Sequence, residues 1–367
     1  MSTTAAPPEA QPAAYGVEAT LDTIPWSQVG PGWLLATWSP LTGHGAGNLL
    51  PHQPDPDTVK TALYLVDPQG GRYPITSFGP GRGSDFEVID WSGDKSRALL
   101  RTSGVSGNYV EVDLHTGKQT PLHFSDSDDY PSYTLPDGKA LLVTGGGYQK
   151  PKTLIRTDLT GKPQQTYLIG QDFQGAMYTP DGTQLVIGTS NGLAFMGNDG
   201  APGKAIPVEG QKDCGPIRWW DADATVVLAG CGGHPSQLWL VPVNGAAPTA
   251  LTAANDGQSG PNLGDINAWN TPAGTFMQEL GACGVVYLAK LNPDGSTTKV
   301  DVPDLDGGST IVVGVNGDSL RLQGRAACGG GIALADWNPS TNVTTFLLGG
   351  PLNGGGVTSA VAFKGQR

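Results

Sequence analysis

The chain has 367 residues, with 21 Lys and Arg against 33 Asp and Glu, and a formal net charge of −12. This negative charge excludes nucleic acid and anionic membrane surfaces as expected partners. No apolar run approaches the roughly 20 residues of a membrane-spanning helix, so no membrane span is expected. The 55 Gly and 30 Pro alternate with runs of Val, Ile, Leu and Trp, and therefore mark the turns of a folded chain.

The chain begins with an Ala- and Pro-rich segment, STTAAPPEAQPAA at positions 2–14, without aromatic or β-branched aliphatic side chains. Such a segment buries too little apolar surface to offset its ordering entropy. We therefore expect a flexible tether over residues 1–16 and one folded domain over residues 17–367. The segment lacks the basic start and apolar stretch of a signal peptide. Two alternatives remain: an intracellular protein, or an exported one whose signal has been removed.

A turn signal recurs at intervals of about 40 to 50 residues, the span of a four-stranded propeller blade. Short apolar runs such as ALLRT, ALLVTG and TVVLAG lie between the turns and are typical of β-strands. A second turn signal, from DPQGG at position 67 to NPSTN at position 338, keeps the same spacing. The first signal comprises SGDK (92–95), PDGK (136–139), PDGT (180–183), DADA (221–224), PAGT (272–275) and NGDS (316–319).

Each repeat therefore predicts four strands, A to D, and the sequence contains seven complete sets of strands B, C and D. This predicts an all-β fold, a seven-bladed β-propeller of four-stranded antiparallel blades; a count of six or eight stays open. Strand A has eight candidates, including TLDTIPWSQV near the start and GVTSAVAF near the end. One of these two closes the ring, since an open ring leaves unpaired strand edges. The sequence leaves open which one is the inner strand.

The PDGK and PDGT turns, each followed by an apolar strand and later by D-x-x-G or N-x-D-G, resemble those of TolB-like, WD-repeat-like bacterial β-propellers. The resemblance covers most of the chain from about Val17 onward. It implies the propeller architecture and a general expectation of protein binding. It does not identify a partner, because propellers serve as enzymes, lectins and docking platforms alike.

The pairing of the four cysteines indicates the cellular compartment of the protein. Cys214 and Cys231 start and end a hairpin centred on residues 222 and 223, which places them opposite each other and favours a cross-strand disulfide. Cys283 and Cys328 fall at the same repeat position in neighbouring blades, which favours a second disulfide. Four buried thiols, or a zinc site with His234, are the alternatives. Two disulfides predict an oxidising compartment, and hence a secreted, periplasmic or cell-envelope protein.

The loops between strands B and C are predicted to share one face with the loops between strands D and A, and this face is the candidate binding face. The blade-1 loop, residues 39–60, is unusually long, and loops of that length are often functional. The alternative is that this loop is a disordered surface insertion without a function. Candidate binding residues in these Gly-rich loops are His44, His52, Asp55, Asp57, Tyr148, Lys150 and His234.

A second pattern places an Asp just before successive A strands. If the register holds, these carboxylates ring one mouth of the central channel, where they could attract Ca²⁺ or a basic partner. The alternative is that each Asp caps its own turn, and no D-x-[DN]-x-[DN]-G calcium loop is present. The candidate metal ligands are Asp85, Asp128, Asp129, Asp172, Asp213 and Asp265.

Three functions follow as hypotheses. The first is a non-catalytic binding or scaffold propeller, expected to be a monomer without a cofactor, that docks a protein or peptide on the loop-rich face. The second is a propeller lyase or hydrolase that uses His44, His52 or His234 with a channel-mouth Asp as general acid and base. The third is a carbohydrate- or cation-binding propeller, with Trp side chains near the ends of A strands as the sugar platform.

Overall fold

The computed structural model describes residues 13–41, 53–80, 86–102, 108–124, 129–146, 150–233, 236–257, 261–305, 308–326 and 331–363. Within these ranges, 28 strands form seven antiparallel sheets of four strands each. The all-β, seven-bladed prediction is confirmed.

Each blade is one sheet whose strands are paired in the order A, B, C, D. Blade 1 contains β1 (Leu34–Ser39), β2 (Thr61–Val66), β3 (Arg72–Phe78) and the last strand of the chain, β28 (Gly356–Ala362). Blade 2 contains β4 (Phe86–Trp91), β5 (Arg97–Thr102), β6 (Asn108–Asp113) and β7 (Gln119–His123). Blade 3 contains β8 (Tyr130–Tyr133), β9 (Leu141–Gly145), β10 (Thr153–Thr157) and β11 (Pro163–Thr166).

The remaining four blades follow the same order. Blade 4 contains β12 (Ala176–Tyr178), β13 (Gln184–Thr189), β14 (Gly192–Gly197) and β15 (Pro202–Pro207). Blade 5 contains β16 (Gly215–Trp219), β17 (Val226–Cys231), β18 (Gln237–Pro242) and β19 (Thr249–Ala250). Blade 6 contains β20 (Asp265–Thr271), β21 (Gly274–Leu280), β22 (Val286–Leu291) and β23 (Thr297–Lys299). Blade 7 contains β24 (Ser309–Asn316), β25 (Ser319–Arg325), β26 (Gly331–Asn338) and β27 (Val343–Gly349).

Helices are short among the described residues. Two 3₁₀ turns span Leu21–Thr23 and Ala282–Gly284, and one α-helical turn, α1, spans Gly350–Asn353. None of them is long and apolar enough to cross a bilayer.

The ring is closed by the C-terminal strand. β28 pairs antiparallel with β1, so GVTSAVAF supplies the inner strand of blade 1, whereas TLDTIPWSQV forms a 3₁₀ turn and a second turn at residues 26–28. Buried hydroxyl groups join the two strands, with Thr37 Oγ1 2.7 Å from Ser359 Oγ. The Val88 N–H of β4 donates to the same Ser359 Oγ at 2.6 Å. One buried side chain therefore links the closing strand to both blade 1 and blade 2.

The segment before blade 1 lies against the propeller. The Gly16 N–H donates to the Gly70 carbonyl of blade 1 at 3.1 Å, and the Tyr15 hydroxyl donates to the Phe346 carbonyl of blade 7 at 2.9 Å. Residues 13–16, which the sequence places in the tether, thus contact blades 1 and 7. Residues 1–12 lie outside the described part of the chain.

The apolar core lies between neighbouring blades. One buried cluster joins blades 1 and 2 and includes Trp33 and Trp91, and another joins blades 6 and 7 and includes Trp269. Trp91 and Trp269 are 2% and 6% exposed. These two side chains therefore pack in the core between blades and are not exposed as a platform for a sugar.

Candidate functional site

Strand direction alternates across each blade, so the B–C and D–A connections emerge on one face of the ring. We call this the binding face, and the opposite one, with the A–B and C–D turns, the rear face. Asp129 directly precedes β8, and Asp265 is the first residue of β20. Asp172 and Asp213 lie in the connections that precede β12 and β16.

The described aspartates bond to separate neighbours. The Ser190 N–H donates to Asp172 Oδ2 at 3.1 Å, and hydrogen bonds from Ser190 hold the pKa of Asp172 below its usual value. Gln174 Nε2 donates to Asp213 Oδ1 at 3.4 Å. The described residues contain no group of three His, Cys, Asp or Glu side chains able to hold a metal ion. Asp85 and Asp128 lie outside the described residues, so the calcium ring stays a prediction.

Arginines contribute to the binding face beside the aspartates. Arg101 Nη2 lies 2.7 Å from Glu87 Oε2, and Arg325 Nη2 lies 3.6 Å from Glu87 Oε1. The hydrogen bond to Glu87 raises the pKa of Arg101. Arg325 also donates to the Thr358 carbonyl of the closing strand at 2.7 Å. One carboxylate and two guanidinium groups therefore connect blades 7, 1 and 2.

Exposed apolar side chains accompany these charges. Tyr130, which is 57% exposed, begins the inner strand of blade 3, and its ring centre lies 5.5 Å from the Arg101 guanidinium carbon. Ile266, 39% exposed, lies at the start of the inner strand of blade 6. Leu168, 92% exposed, lies in the connection between blades 3 and 4. All three lie on the binding face.

Asp265 differs from the other described candidate aspartates because it is buried, with 3% of its surface exposed. Its register partner in β21 is Glu279, which is 1% exposed. Burial raises the pKa of both carboxyl groups. Hydrogen bonds offset this rise only in part: the Asn262 side chain does so for Asp265, and the Thr297 and Tyr287 hydroxyls do so for Glu279. The pair therefore retains protons at a pH where exposed carboxyl groups have lost them.

We predict a pH dependence of stability from this pair. The folded-state pKa values are raised above the unfolded ones, so the stabilising contribution is fully present below pH ~4, the unfolded pKa range. It is lost as the pH rises through the folded values. Urea midpoints of wild type should therefore fall from pH 4 upward more steeply than those of Glu279→Gln. Identical slopes for the two proteins would contradict the prediction.

The disulfide prediction is confirmed for one pair. Cys214 and Cys231 form a disulfide with a Cα–Cα distance of 4.0 Å, and both are fully buried. Cys283 carries a free, exposed thiol. Its predicted partner, Cys328, lies outside the described residues. The second disulfide, between Cys283 and Cys328, is therefore not observed and stays a prediction.

The other candidate residues are distributed as follows. Asp55 and Asp57 are exposed in one turn, where the Asp57 N–H donates to Asp55 Oδ1 at 3.0 Å. Lys150 is exposed at the start of the segment before β10. Four candidates lie outside the described residues: His44, His52, Tyr148 and His234.

Sequence reasoning did not single out Glu87, Arg101 or Glu279. A signal for them existed, because Arg101 and Glu279 occupy the same repeat position near the end of a B strand. A charged residue at such a position of an apolar strand faces a partner on the neighbouring strand.

No protein-family model matches the chain, and no curated protein matches it. Solved structures do match. The acylaminoacyl peptidase of Pyrococcus horikoshii is 10% identical, with a TM-score of 0.50, over 90% of this chain and 51% of that one. A prolyl endopeptidase is 11% identical, with a TM-score of 0.50, over 78% of this chain and 46% of that one. The chain thus spans about half the length of these peptidases.

TolB from Acinetobacter baumannii is 13% identical, with a TM-score of 0.44, over 96% of this chain and 87% of that one. A TolB protein is thus among the solved structures that are similar to this chain. At these identities the matches show the propeller fold alone.

Proposed function

We propose that the protein is a non-catalytic binding propeller that docks a protein or peptide on the binding face. The observation that carries the proposal is the exposure of Tyr130, Leu168 and Ile266 on that one face. Tyr is enriched among residues that dominate binding energy in protein interfaces. The inner strands hold Tyr130 and Ile266 at the channel mouth, so a partner meets a preformed surface.

The charged groups beside Tyr130 orient a partner that docks on this surface. Arg101, which lies 5.5 Å from the Tyr130 ring, pairs with Glu87, and Glu87 in turn lies 3.6 Å from Arg325, so the charged trio extends from the aromatic ring towards blade 7. Charged groups around an apolar centre contribute register and specificity more than affinity. We assign the aromatic ring to affinity and the charged trio to orientation.

An extracytoplasmic location is part of the proposal. The buried Cys214–Cys231 disulfide supports it, because structural disulfides persist in oxidising compartments. We therefore place the partner in the cell envelope or outside the cell.

We expect Tyr130→Ala to weaken partner binding at least tenfold, because truncation of an interface Tyr removes contact area at the centre of the surface. The partner is captured from the native envelope fraction, purified, and titrated against both proteins by calorimetry. Val343→Ser is the matched control, since Val343 is 55% exposed in the outer strand of blade 7, beside the C–D turn of the rear face. Equal affinities of wild type and Tyr130→Ala would contradict the proposal.

The enzymatic alternative depends on His44, His52 and His234. Because these residues lie outside the described part of the chain, it stays a prediction, as do the carbohydrate- and calcium-binding alternatives.

A further inference from the structure

The segment just before blade 1 pairs with the outer edge of that blade. Residues 13–19 run beside β3, where the Arg72 N–H donates to the Val17 carbonyl at 2.9 Å. The Ala19 N–H donates in turn to the Arg72 carbonyl at 2.8 Å, and Glu18 forms a parallel bridge with Arg72. Residues 13–19 therefore act as a short fifth strand of blade 1, and we call them the strap.

Side chains hold the strap across the seam between blades 1 and 7. The Tyr15 hydroxyl donates to the Phe346 carbonyl of blade 7, and Arg72 Nη2 of blade 1 donates to the Gly16 carbonyl at 2.8 Å. The Tyr15 ring packs over Gly70, where a Cβ atom would lie 2.8 Å from Tyr15 Cδ2. The strap thus joins the last blade of the ring to the first.

The strap buries little apolar surface. None of the residues 13–19 is buried, and the side chains of Tyr15 and Val17 are 50% and 47% exposed. Ala13 and Ala19 pack against the core of blades 1 and 2, but with one methyl group each. The strap is therefore attached mainly by hydrogen bonds near the surface, and each of these contributes little because water competes for the same groups. Segments of this kind open at a lower free energy than the whole domain.

A buried group beneath the strap opposes its attachment. Arg72 is 6% exposed, and its Nε and Nη1 are buried without a hydrogen-bond partner among the described residues. Buried donors without a partner destabilise the state that buries them. Water would reach the Arg72 guanidinium when the strap leaves, so these donors favour the detached state.

We propose that the strap detaches from blades 1 and 7 as one unit while the seven blades stay folded. Detachment uncovers the outer edge of β3, where the Arg72 N–H and carbonyl then lack a strand partner. Folded proteins commonly cover such edges, because an open edge pairs with other extended segments. The strap is thus a reversible cover over a strand edge at the outside of the ring, and the proposal does not rest on docking at the binding face.

Native-state hydrogen exchange of the full chain tests the proposal. The amides of Gly16, Ala19 and Arg72 donate to the bonds that join the strap to blade 1. They should share one protection factor, at least a hundredfold below that of the buried Val88 amide. Low urea concentrations should change this shared value little, since detachment exposes little surface, and should lower that of Val88. Equal protection factors at all four amides would overturn the proposal.

A chain that starts at Thr20 lacks the strap and provides a second test. It should unfold cooperatively, and the protection factor of its Arg72 amide should fall at least tenfold below that in the full chain. A chain that starts at Ala13 retains the strap and is the control, so its Arg72 amide should be protected as in the full chain. Loss of cooperative unfolding in the chain from Thr20, or an unchanged Arg72 amide, would overturn the proposal.

Tyr15→Ala tests whether the strap moves as one unit. It removes the contacts with Gly70 and blade 7, and should lower the protection factors of the Gly16 and Arg72 amides together, at least threefold. Val17→Ala, which truncates an exposed side chain of the same segment, is the control and should change neither amide. A change at Gly16 alone would show fraying of the chain end and would contradict detachment as a unit.

Discussion

A chain that ends at Gly355 is expected to lose cooperative unfolding altogether. The truncation removes β28, the inner strand of blade 1, and exposes the pairing edge of β1. It also removes the fully buried Val357 and the hydrogen bonds of Ser359 to Thr37 and Val88. A typical domain is stabilised by only about 5–15 kcal/mol, so we expect the loss of an inner strand to unfold it. Urea denaturation followed by Trp fluorescence measures it.

A chain that ends at Phe363 is the control, because it keeps β28 and the contact of Phe363 with Trp91. It should unfold with the midpoint of the full chain. Ser359→Ala is a milder test of ring closure by β28. It leaves the buried Val88 N–H without its acceptor, at a cost of about 1–3 kcal/mol of unfolding free energy. A cooperative transition for the chain that ends at Gly355 would show that β28 does not close the ring.

The Cys214→Ala/Cys231→Ala variant is expected to lose about 2–4 kcal/mol of unfolding free energy. The disulfide closes a sequence separation of 17, and a loop of this size restricts the unfolded chain by about 3 kcal/mol in the chain-entropy account. Urea midpoints of the oxidised wild type and the variant measure the difference. Cys283→Ser, at an exposed free thiol, should stay within about 0.5 kcal/mol. Equal midpoints for wild type and the double variant would contradict a stabilising disulfide.

Much of the fold could be predicted from the sequence because its determinants are local. A PDGK or PDGT turn fixes a hairpin from neighbouring residues alone, and repetition along the chain gives the blade count. The pairing of Cys214 with Cys231 follows for the same reason, since both belong to one hairpin with a short turn.

The inner strand of blade 1 could not be predicted, because its pairing joins residues more than 300 positions apart. β28 consists of small and β-branched residues and packs against β1 and β4. The competing segment contains Pro25, which has no N–H for a sheet, and the N–H of Trp26 donates locally to Ile24.

The candidate site, like the fold, could be predicted from the sequence only in part. Asp172 and Asp265 look alike in sequence, yet one is exposed and bonded to Ser190 while the other is buried against blade 5. Burial between blades is a tertiary property that no local pattern records. Glu279 was not predicted because a fully buried Glu goes against the usual preference of this residue type for the surface.

The most direct test of the docking account is amide hydrogen exchange of the protein with and without its purified partner. The account predicts slower exchange at the start of β8, at residues 167–172 and at the start of β20, with the rear-face turn at residues 338–342 unchanged. Protection confined to the rear face would contradict it.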